Sequence, residues 1–272
     1  MRSSPPRRPR SSGSDPYAAL AADYHWFFDA FGLKVGTRTP GVQATIRDLP
    51  DGARILDAAC GIGVDTLSLH RRGFRVTATD ASRAMVRECQ RRLVAEGALV
   101  PVLACRWADL PERFGPGFDA VLCLGNSLSH APSPDARRSA LAAFAAVLVP
   151  GGTLLLDVQD WVAVHATGSH QDHDPQVVSR EGARCTRHYD WRVPERFEDP
   201  LVLEITLRIR DDGAERSSTH AFTFGLFTID DLMADLEATG FVGVDMHQDP
   251  GDDRYALVAR RPPTGSVLRS AG

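Results

Sequence analysis

The sequence predicts an α/β protein: a doubly wound, mostly parallel seven-stranded sheet with an antiparallel β appendage. Three observations carry that expectation. Between residues 53 and 160, short apolar runs ending near Asp57, Asp80, Arg106, Cys123 and Asp157 alternate with helical segments at 63–72, 82–96 and 134–148. Strands separated by helices form parallel βαβ units with right-handed crossovers. After residue 160 the pattern changes to longer, partly alternating runs, as antiparallel strands require. Finally, 272 residues with 43% hydrophobic and 24% charged side chains suit one large domain with a sizeable core.

Taken in order, residues 1–16 hold four Arg and four Pro and read as a disordered leader, because they cannot bury enough apolar surface to offset ordering entropy. An organelle transit peptide would need amphipathic apolar positions that this stretch lacks. Residues 17–49 read as helical, with Leu20, Tyr24, Phe27, Phe28 and Phe31 spaced to share one face. Gly32 and Gly36 interrupt that segment before a second short helix. Residues 50–160 form the βαβ core.

The segment 161–227 is the antiparallel appendage, with strands at Arg184 to Trp191, Leu201 to Arg210 and Arg216 to Phe224 and a turn at Asp211-Asp212-Gly213. In 228–262, a helix from Ile229 to Thr239 stops at Gly240, and strands at 241–247 and 254–260 close the sheet edge as a hairpin. Residues 263–272 are read as a disordered tail.

A net charge of -4 supplies no broad basic surface for nucleic acid, so a small-molecule partner is expected and nucleic acid is not. No stretch approaches the roughly 18 apolar residues of a membrane span, and no secretory signal opens the chain. The five cysteines (60, 89, 105, 123 and 185) form no C-x-x-C pair, which fits a reduced cytoplasmic protein. A homo-oligomer remains open.

A ligand site is expected after the first strand. Small residues at Ala59, Gly61 and Gly63 let the backbone pass close to a ligand. A dinucleotide fingerprint would place a third glycine where Thr66 stands, so D-x-A-x-G-x-G describes the run better. Asp80 ends the second strand 17 residues beyond Gly63, where a carboxylate can accept both hydroxyls of a ribose. Ser82 can cap the next helix, and Met85, after Ala81, can turn an apolar surface to an adenine. At the third strand's end, Trp107 offers a ring and Asp109 an acceptor for a base. Singly, Asp80 is equally a solvated carboxylate and Trp107 equally a core ring.

Together, Asp57-Ala58-Ala59-Cys60-Gly61-Ile62-Gly63-Val64-Asp65, Asp80-Ala81-Ser82, Cys123-Leu124-Gly125-Asn126-Ser127-Leu128-Ser129-His130 and Val149-Pro150-Gly151-Gly152 closely resemble the class I S-adenosylmethionine-dependent methyltransferases. Among these they are similar to glycine N-methyltransferase and related sarcosine and small-amine methyltransferases, over about residues 50 to 160. The resemblance implies a Rossmann-like methyltransferase fold with the appendage over the active site, S-adenosylmethionine as cofactor and S-adenosylhomocysteine as product. It implies Ala59, Gly61 and Gly63 along the methionine, Asp80 with Ala81 and Met85 at the ribose and adenosine, Arg106 and Trp107 at the adenine, and Leu124 with Gly125 beneath the sulfonium. It also makes Arg38 the clamp on the cofactor carboxylate, and the N-terminal segment a lid.

One departure bears on the acceptor. Gln159 stands where the glycine enzymes place a carboxylate-binding arginine, and glutamine cannot form that ion pair, so glycine is disfavoured. Tyr17, Asn126, Trp161, Tyr189 and Trp191 are candidate walls for a larger acceptor, or else core aromatics. Methyl transfer from a sulfonium mainly requires alignment in a dry site, and a base helps when the nucleophile arrives protonated. His130 and Tyr24 are the candidates for that role.

The favoured acceptor is an amine nitrogen of a metabolite other than glycine, with an aromatic carbon or phenolic oxygen of secondary metabolism as the alternative. Two other classes remain: a nicotinamide oxidoreductase, which the missing third glycine disfavours, and a catalytically silent nucleoside-binding protein. His165, His170, Asp172, His173 and Asp174 lack the helical i, i+4 spacing of a zinc enzyme, so no metal is expected.

Overall fold

The computed structural model describes residues 15–28, 40–174, 177–248 and 253–264. Arg38, Phe31, most of the expected leader and most of the expected tail lie outside the described residues. Seven strands build the main sheet: β1 (Arg54–Asp57), β2 (Arg75–Asp80), β3 (Val102–Ala104), β4 (Phe118–Cys123), β5 (Leu148–Gln159), and, after the appendage, β11 (Val242–His247) and β12 (Arg254–Arg260). Their order is β11-β12-β5-β4-β1-β2-β3. The first five run parallel, while β12 runs antiparallel to both of its neighbours. This is the expected doubly wound, mostly parallel sheet. The winding reverses between β1 and its neighbour β4, and ligands of open α/β sheets bind beyond the carboxyl ends of the strands at such a point.

Alternating residues along each strand serve opposite faces. Leu56, Val121, Leu154 and Leu156 pack on one side with Leu141 and Phe144 of α5 (Pro134–Val147). Ile55, Ala120, Leu122 and Leu155 pack on the other with Val42 and Ile46 of α1 (Pro40–Arg47). Helices α2 (Val64–Arg71), α3 (Arg83–Ala95) and α4 (Leu110–Phe114) make the crossovers of the first half. Local chemistry sets their starts: the Ser82 hydroxyl accepts from Met85 N at 3.2 Å, and Ser133 accepts from Ala136 N ahead of α5. Helix α7 (Ile229–Ala238) begins in a Thr228/Asp231 capping box and is tied to α5 by a buried Arg137–Asp235 pair at 2.6 Å. The Arg137 guanidinium also lies 4.5 Å from the centre of the Phe227 ring.

The appendage is a five-stranded antiparallel sheet of β6 (His170–His173), β7 (Val178–Arg180), β8 (Ala183–Arg192), β9 (Leu201–Asp211) and β10 (Ala214–Phe224). The His- and Asp-bearing stretch 165–174 falls on α6 (Trp161–Thr167) and β6, and β6 is drawn into the sheet by pairing with β8 although its side chains are polar. One appendage face is apolar, with Cys185, Leu203, Ile205, Leu207, Phe222 and Phe224 buried. That face meets the N-terminal segment and the 3-10 helix Ser127–His130, which follows β4.

The expected N-terminal helix is corrected. From Asp15 to Asp23 the backbone makes tight turns, and Tyr24–Phe27 is a single turn of 3-10 helix. Tertiary contacts override the local periodicity: the segment packs against distant elements of the core, and at its end Arg187 donates to Trp26 O at 2.8 Å and Arg180 to the carbonyls of His25 and Phe28. Leu20, Ala21 and Trp26 are the residues buried by this segment, rather than one phenylalanine-rich stripe.

Candidate active site

At the carboxyl end of β1, the turn Ala58 to Gly63 folds back so that Cys60 N donates to Thr79 O of β2 at 3.0 Å. Gly61 and Gly63 both have positive φ, +52° and +88°. A Cβ on Gly63 would lie 2.6 Å from the Cys89 sulfur of α3, so this glycine is required for packing as well as for conformation. Beneath the turn, the Asp57 carboxylate accepts from Thr66 Oγ1 at 2.6 Å. Its burial, and next the neighbouring Asp65, push its pKa up to about 7.

Asp80 is held by the backbone on both sides. Gly61 N donates to Oδ2 at 2.9 Å and Ser82 N to Oδ1 at 2.8 Å. Burial raises its pKa while these two amides oppose the rise. Each oxygen keeps a further lone pair, so the carboxylate is fixed in direction and still able to accept two hydroxyls. The glycine cradle and this carboxylate therefore fit an adenosine-bearing group. Trp107 donates its indole N–H to Ala58 O at 2.8 Å and meets Phe144 edge-on, so only the ring surface is left for a ligand. Ala59 and Gly61 are partly exposed in the cradle, while Ala81, Arg106 and Asp109 are exposed at its margin. Met85 is 2% exposed and packs with Ala21, Ile62 and Ala84 under Tyr17 and Tyr24, which corrects the expectation that it turns to an adenine.

Past β4, Gly125 (φ +72°) and Asn126 (φ +58°) form a left-handed turn. The Leu124 side chain is buried against the α1 side and its carbonyl accepts from Ser127 Oγ at 2.7 Å, so Gly125 is the exposed part of that pair. His130, at the end of the 3-10 helix, meets the Tyr17 hydroxyl at 2.7 Å through Nε2. Burial pulls the imidazole below its ordinary pKa, and a hydrogen bond to the Thr223 backbone opposes this. With the other ring nitrogen donating to that backbone, Nε2 is the acceptor and Tyr17 the donor. Burial, and next Tyr24, raise the Tyr17 phenol well above its usual value, so the pair is neutral at pH 7.

The two tyrosines exchange the places expected of them. Tyr17 partners His130 and packs against Phe222 at 4.9 Å, whereas Tyr24 lies over the cradle, 3.7 Å from where a Gly61 Cβ would be.

The expected acceptor residues separate into two groups. Gln159 is 6% exposed, and its side-chain nitrogen donates to the backbone and carboxylate oxygens of Asp253 at 2.8 and 2.9 Å. Its backbone N donates to Asn126 Oδ1, and Asn126 N donates to Asp157 Oδ1 at 3.1 Å. Trp161 is 1% exposed and donates to Ser129 Oγ at 2.9 Å. Both are structural here, as a core reading of Trp161 allowed. Tyr189 and Trp191, on β8, remain half-buried on the inner face of the appendage, with Trp191 stacked on His170 at 5.8 Å. Among the described residues no three potential ligands converge on a metal. His165 lies on α6, His170, Asp172 and His173 lie on β6, and Asp174 pairs with Arg187 at 2.8 Å.

Sequence reasoning missed Asp15, which accepts from Ser82 Oγ at 2.6 Å and joins the N-terminal segment to the turn after β2. It also missed Ser129 and Asp253. None carries a recognisable spacing signal, since each acts through a partner distant in sequence.

Residues 55–152 match the family described as a methyltransferase domain. The likeness to a methyltransferase domain thus lies in the half of the sheet that carries the Gly61–Asp80 cradle, and the chain is similar to class I S-adenosylmethionine-dependent methyltransferases. It is 36% identical to rabbit (Oryctolagus cuniculus) glycine N-methyltransferase over 128 residues, 42% of the chain and 43% of that protein. The chain thus spans less than half the length of the curated relative. Among solved structures, a sugar N-methyltransferase from Streptoalloteichus superposes with a TM-score of 0.69 at 25% identity, over 96% of this chain and 98% of that one. An amino pentose methyltransferase from Micromonospora echinaspora gives 0.68 at 22% identity, over 94% and 100%, a likeness of fold. No helix among the described residues is long and apolar enough to cross a membrane.

Proposed function

We propose that this methyltransferase transfers a methyl group from S-adenosylmethionine to an amine nitrogen of a small metabolite other than glycine. One arrangement carries the reading: the backbone-held Asp80 carboxylate and the neutral Tyr17–His130 pair are both joined to the N-terminal segment, the first through the Ser82–Asp15 bond and the second through Tyr17 itself. When bound, S-adenosylmethionine supplies an electrophilic methyl group whose sulfur leaves as a neutral thioether. The chain's own work is then to bind, align and exclude water.

In this reading Asp80 accepts the ribose hydroxyls, Ala59, Gly61 and Gly63 admit the methionine portion, Trp107 faces the base, and the Gly125 turn lies under the reacting centre. Arg38 is assigned the cofactor carboxylate, on the resemblance alone. Tyr17, Phe222 and Phe224 exclude water, and His130 Nε2 is the atom that accepts a proton or hydrogen bond from the acceptor amine once Tyr17 yields it. Tyr189 and Trp191 form the farther wall, on the half-buried inner face of the appendage.

Support against glycine comes from Gln159. Its amide is buried and engaged by Asp253, so the position offers an acceptor's carboxylate no cation. The nitrogen preference draws on the relatives: glycine, amino pentose and sugar amines are what the names of the matched proteins specify.

The test is isothermal calorimetry with S-adenosylmethionine and S-adenosylhomocysteine, followed by labelled methyl transfer to a panel of amino sugars, small amines, glycine and phenols. Cofactor binding with transfer to a non-glycine amine is the expected result. Absence of cofactor binding sinks the whole reading, transfer only to a phenol or carbon overturns the nitrogen assignment, and binding without any transfer favours a silent nucleoside-binding protein.

A further inference from the structure

Ser129 is completely buried, carries no ligand-facing atom, and is bonded in three directions. Its hydroxyl donates to Asn126 Oδ1 at 2.7 Å and accepts the Trp161 indole N–H at 2.9 Å. Its carbonyl accepts from Gly225 N at 2.8 Å, just past the end of β10. Gly225 is there of necessity, because a Cβ at that position would stand 2.6 Å from Ala131 O. Asn126 in turn takes the Gln159 backbone N–H at 3.0 Å on the same Oδ1. Through its hydroxyl and its carbonyl, one residue therefore joins the turn after β4, the start of α6 and the exit of β10, and the adjacent residue is His130.

We propose that Ser129 is the positioning residue that sets His130 against Tyr17 and so fixes the geometry of the acceptor side. The inference rests on the methyltransferase reading for its catalytic consequence but not for its structural one. A buried hydrogen-bonded hub of this kind is costly to leave half satisfied, because each orphaned group keeps its desolvation penalty. Replacing Ser129 by Ala strands the Trp161 N–H in a core without another acceptor and removes one of the two bonds that orient the Asn126 amide. The 3-10 helix then keeps the Gly225 bond and the contacts of His130 with Thr223 and Phe224 as its ties to β10, but loses its tie to α6, so the direction in which His130 leaves it is set less tightly. Ser133, which caps α5 by accepting from Ala136 N, is the matched control: its loss weakens the fold without touching the hub.

The experiment compares wild type, Ser129→Ala, Trp161→Phe and Ser133→Ala in two ways. The first is 15N NMR of the histidine rings, with His130 assigned from His130→Asn, which needs neither cofactor nor acceptor. Wild type is expected to show one tautomer with Nε2 unprotonated and hydrogen-bonded. Ser129→Ala is expected to lose that pattern to an average of two tautomers, Trp161→Phe to shift it part-way, and Ser133→Ala to keep it. The second is steady-state kinetics with whichever acceptor the panel yields. Here kcat/KM for the acceptor is expected to fall tenfold or more in Ser129→Ala, while the S-adenosylhomocysteine Kd stays within about threefold and Ser133→Ala stays within twofold on both measures. A Ser129→Ala protein that loses melting temperature as Ser133→Ala does, yet keeps the wild-type His130 spectrum, overturns the proposal. If no acceptor is ever methylated, the functional reading fails while the NMR result still decides the role of Ser129.

Discussion

At the carboxyl ends of β1 and β2 the ligand-facing surface is made of backbone. Gly61 and Ser82 amides grip Asp80, glycines at positive φ clear the space above them, and the only side-chain function presented is one carboxylate. At the ends of β4 and β5 the surface is made of side chains locked to one another. Tyr17, His130, Asn126, Ser129, Gln159 and Trp161 each find partners on different elements, two of them on the appendage or the N-terminal segment. On the proposed reading the first region binds what does not vary, and its backbone is a fixed pattern of donors that substitution elsewhere scarcely disturbs. The second would then meet the acceptor, with groups that can be exchanged singly but whose positions depend on many contacts.

The contrast predicts that damage on the first side is local and large. Asp80→Ala removes the acceptor of two amides and, on the proposed reading, of the ribose hydroxyls, and charge-assisted bonds contribute about 1.5–3 kcal/mol each. Cofactor affinity measured by calorimetry should fall by roughly a hundredfold or more, with the His130 ring spectrum unchanged. An unchanged Kd would mean the ribose is held elsewhere, and a disturbed His130 would mean the two regions are coupled.

Gly63→Ala sharpens the same point through sterics. The new methyl meets the Cys89 sulfur at 2.6 Å with φ at +88°, and overpacking plus a left-handed alanine costs about 2–5 kcal/mol of stability. Gly125→Ala, where the nearest atom is Ser127 Oγ at 3.9 Å, has only the backbone penalty and should destabilise by about 1–2 kcal/mol. Chemical denaturation ranks the two, and equal losses would show that the Cys89 side chain simply moves aside.

Legibility divides along the same line. The glycine turn, the Asp80 position and the strand and helix order are local patterns, with spacing set by a few residues, so they could be read directly from the chain. Met85 could not be placed, because its helical position fits both a ligand face and a core face and only Ala21 and Ile62, from distant segments, decide between them. Gln159 stands out in the sequence, yet its partner Asp253 lies 94 residues on and becomes a neighbour only because β12 pairs with β5. The N-terminal segment has the apolar spacing of a helix, yet it is Leu20, Ala21 and Trp26 that are buried, against residues distant in the sequence. Tertiary competition of that sort leaves no trace in periodicity.

A pH dependence follows from Asp57, whose carboxyl is pushed up to about 7 in the fold against an ordinary value near 4. Between those values the folded state holds the proton that the unfolded chain releases, so this group's contribution makes stability decline as pH rises from about 4 to 7. Asp57→Asn, which still offers an oxygen to Thr66, should flatten that part of the stability curve. A curve of unchanged slope would locate the titration elsewhere.

The smallest effect expected is at the tie between the N-terminal segment and the appendage, where Arg216 grips both oxygens of Asp23 at 2.6 Å. That hydrogen bond, more than the charge, holds the Asp23 carboxyl below its usual range. Its stabilisation is therefore present above the ordinary carboxylate pKa and fades as pH falls through the lowered folded value. The Arg216 side chain is 57% exposed, so solvent screening limits the pair to about 0–1 kcal/mol. Asp23→Asn should accordingly leave the melting temperature within a few degrees. Its effect should show instead as faster amide exchange at residues 17–28 and as weaker dependence of that exchange on salt, since the wild-type tie is an exposed ion pair. If exchange there is as slow in Asp23→Asn as in wild type, the segment is held by Arg180, Arg187 and the Tyr17–His130 bond. The appendage would then secure the acceptor side through buried contacts alone, with no separate electrostatic tie.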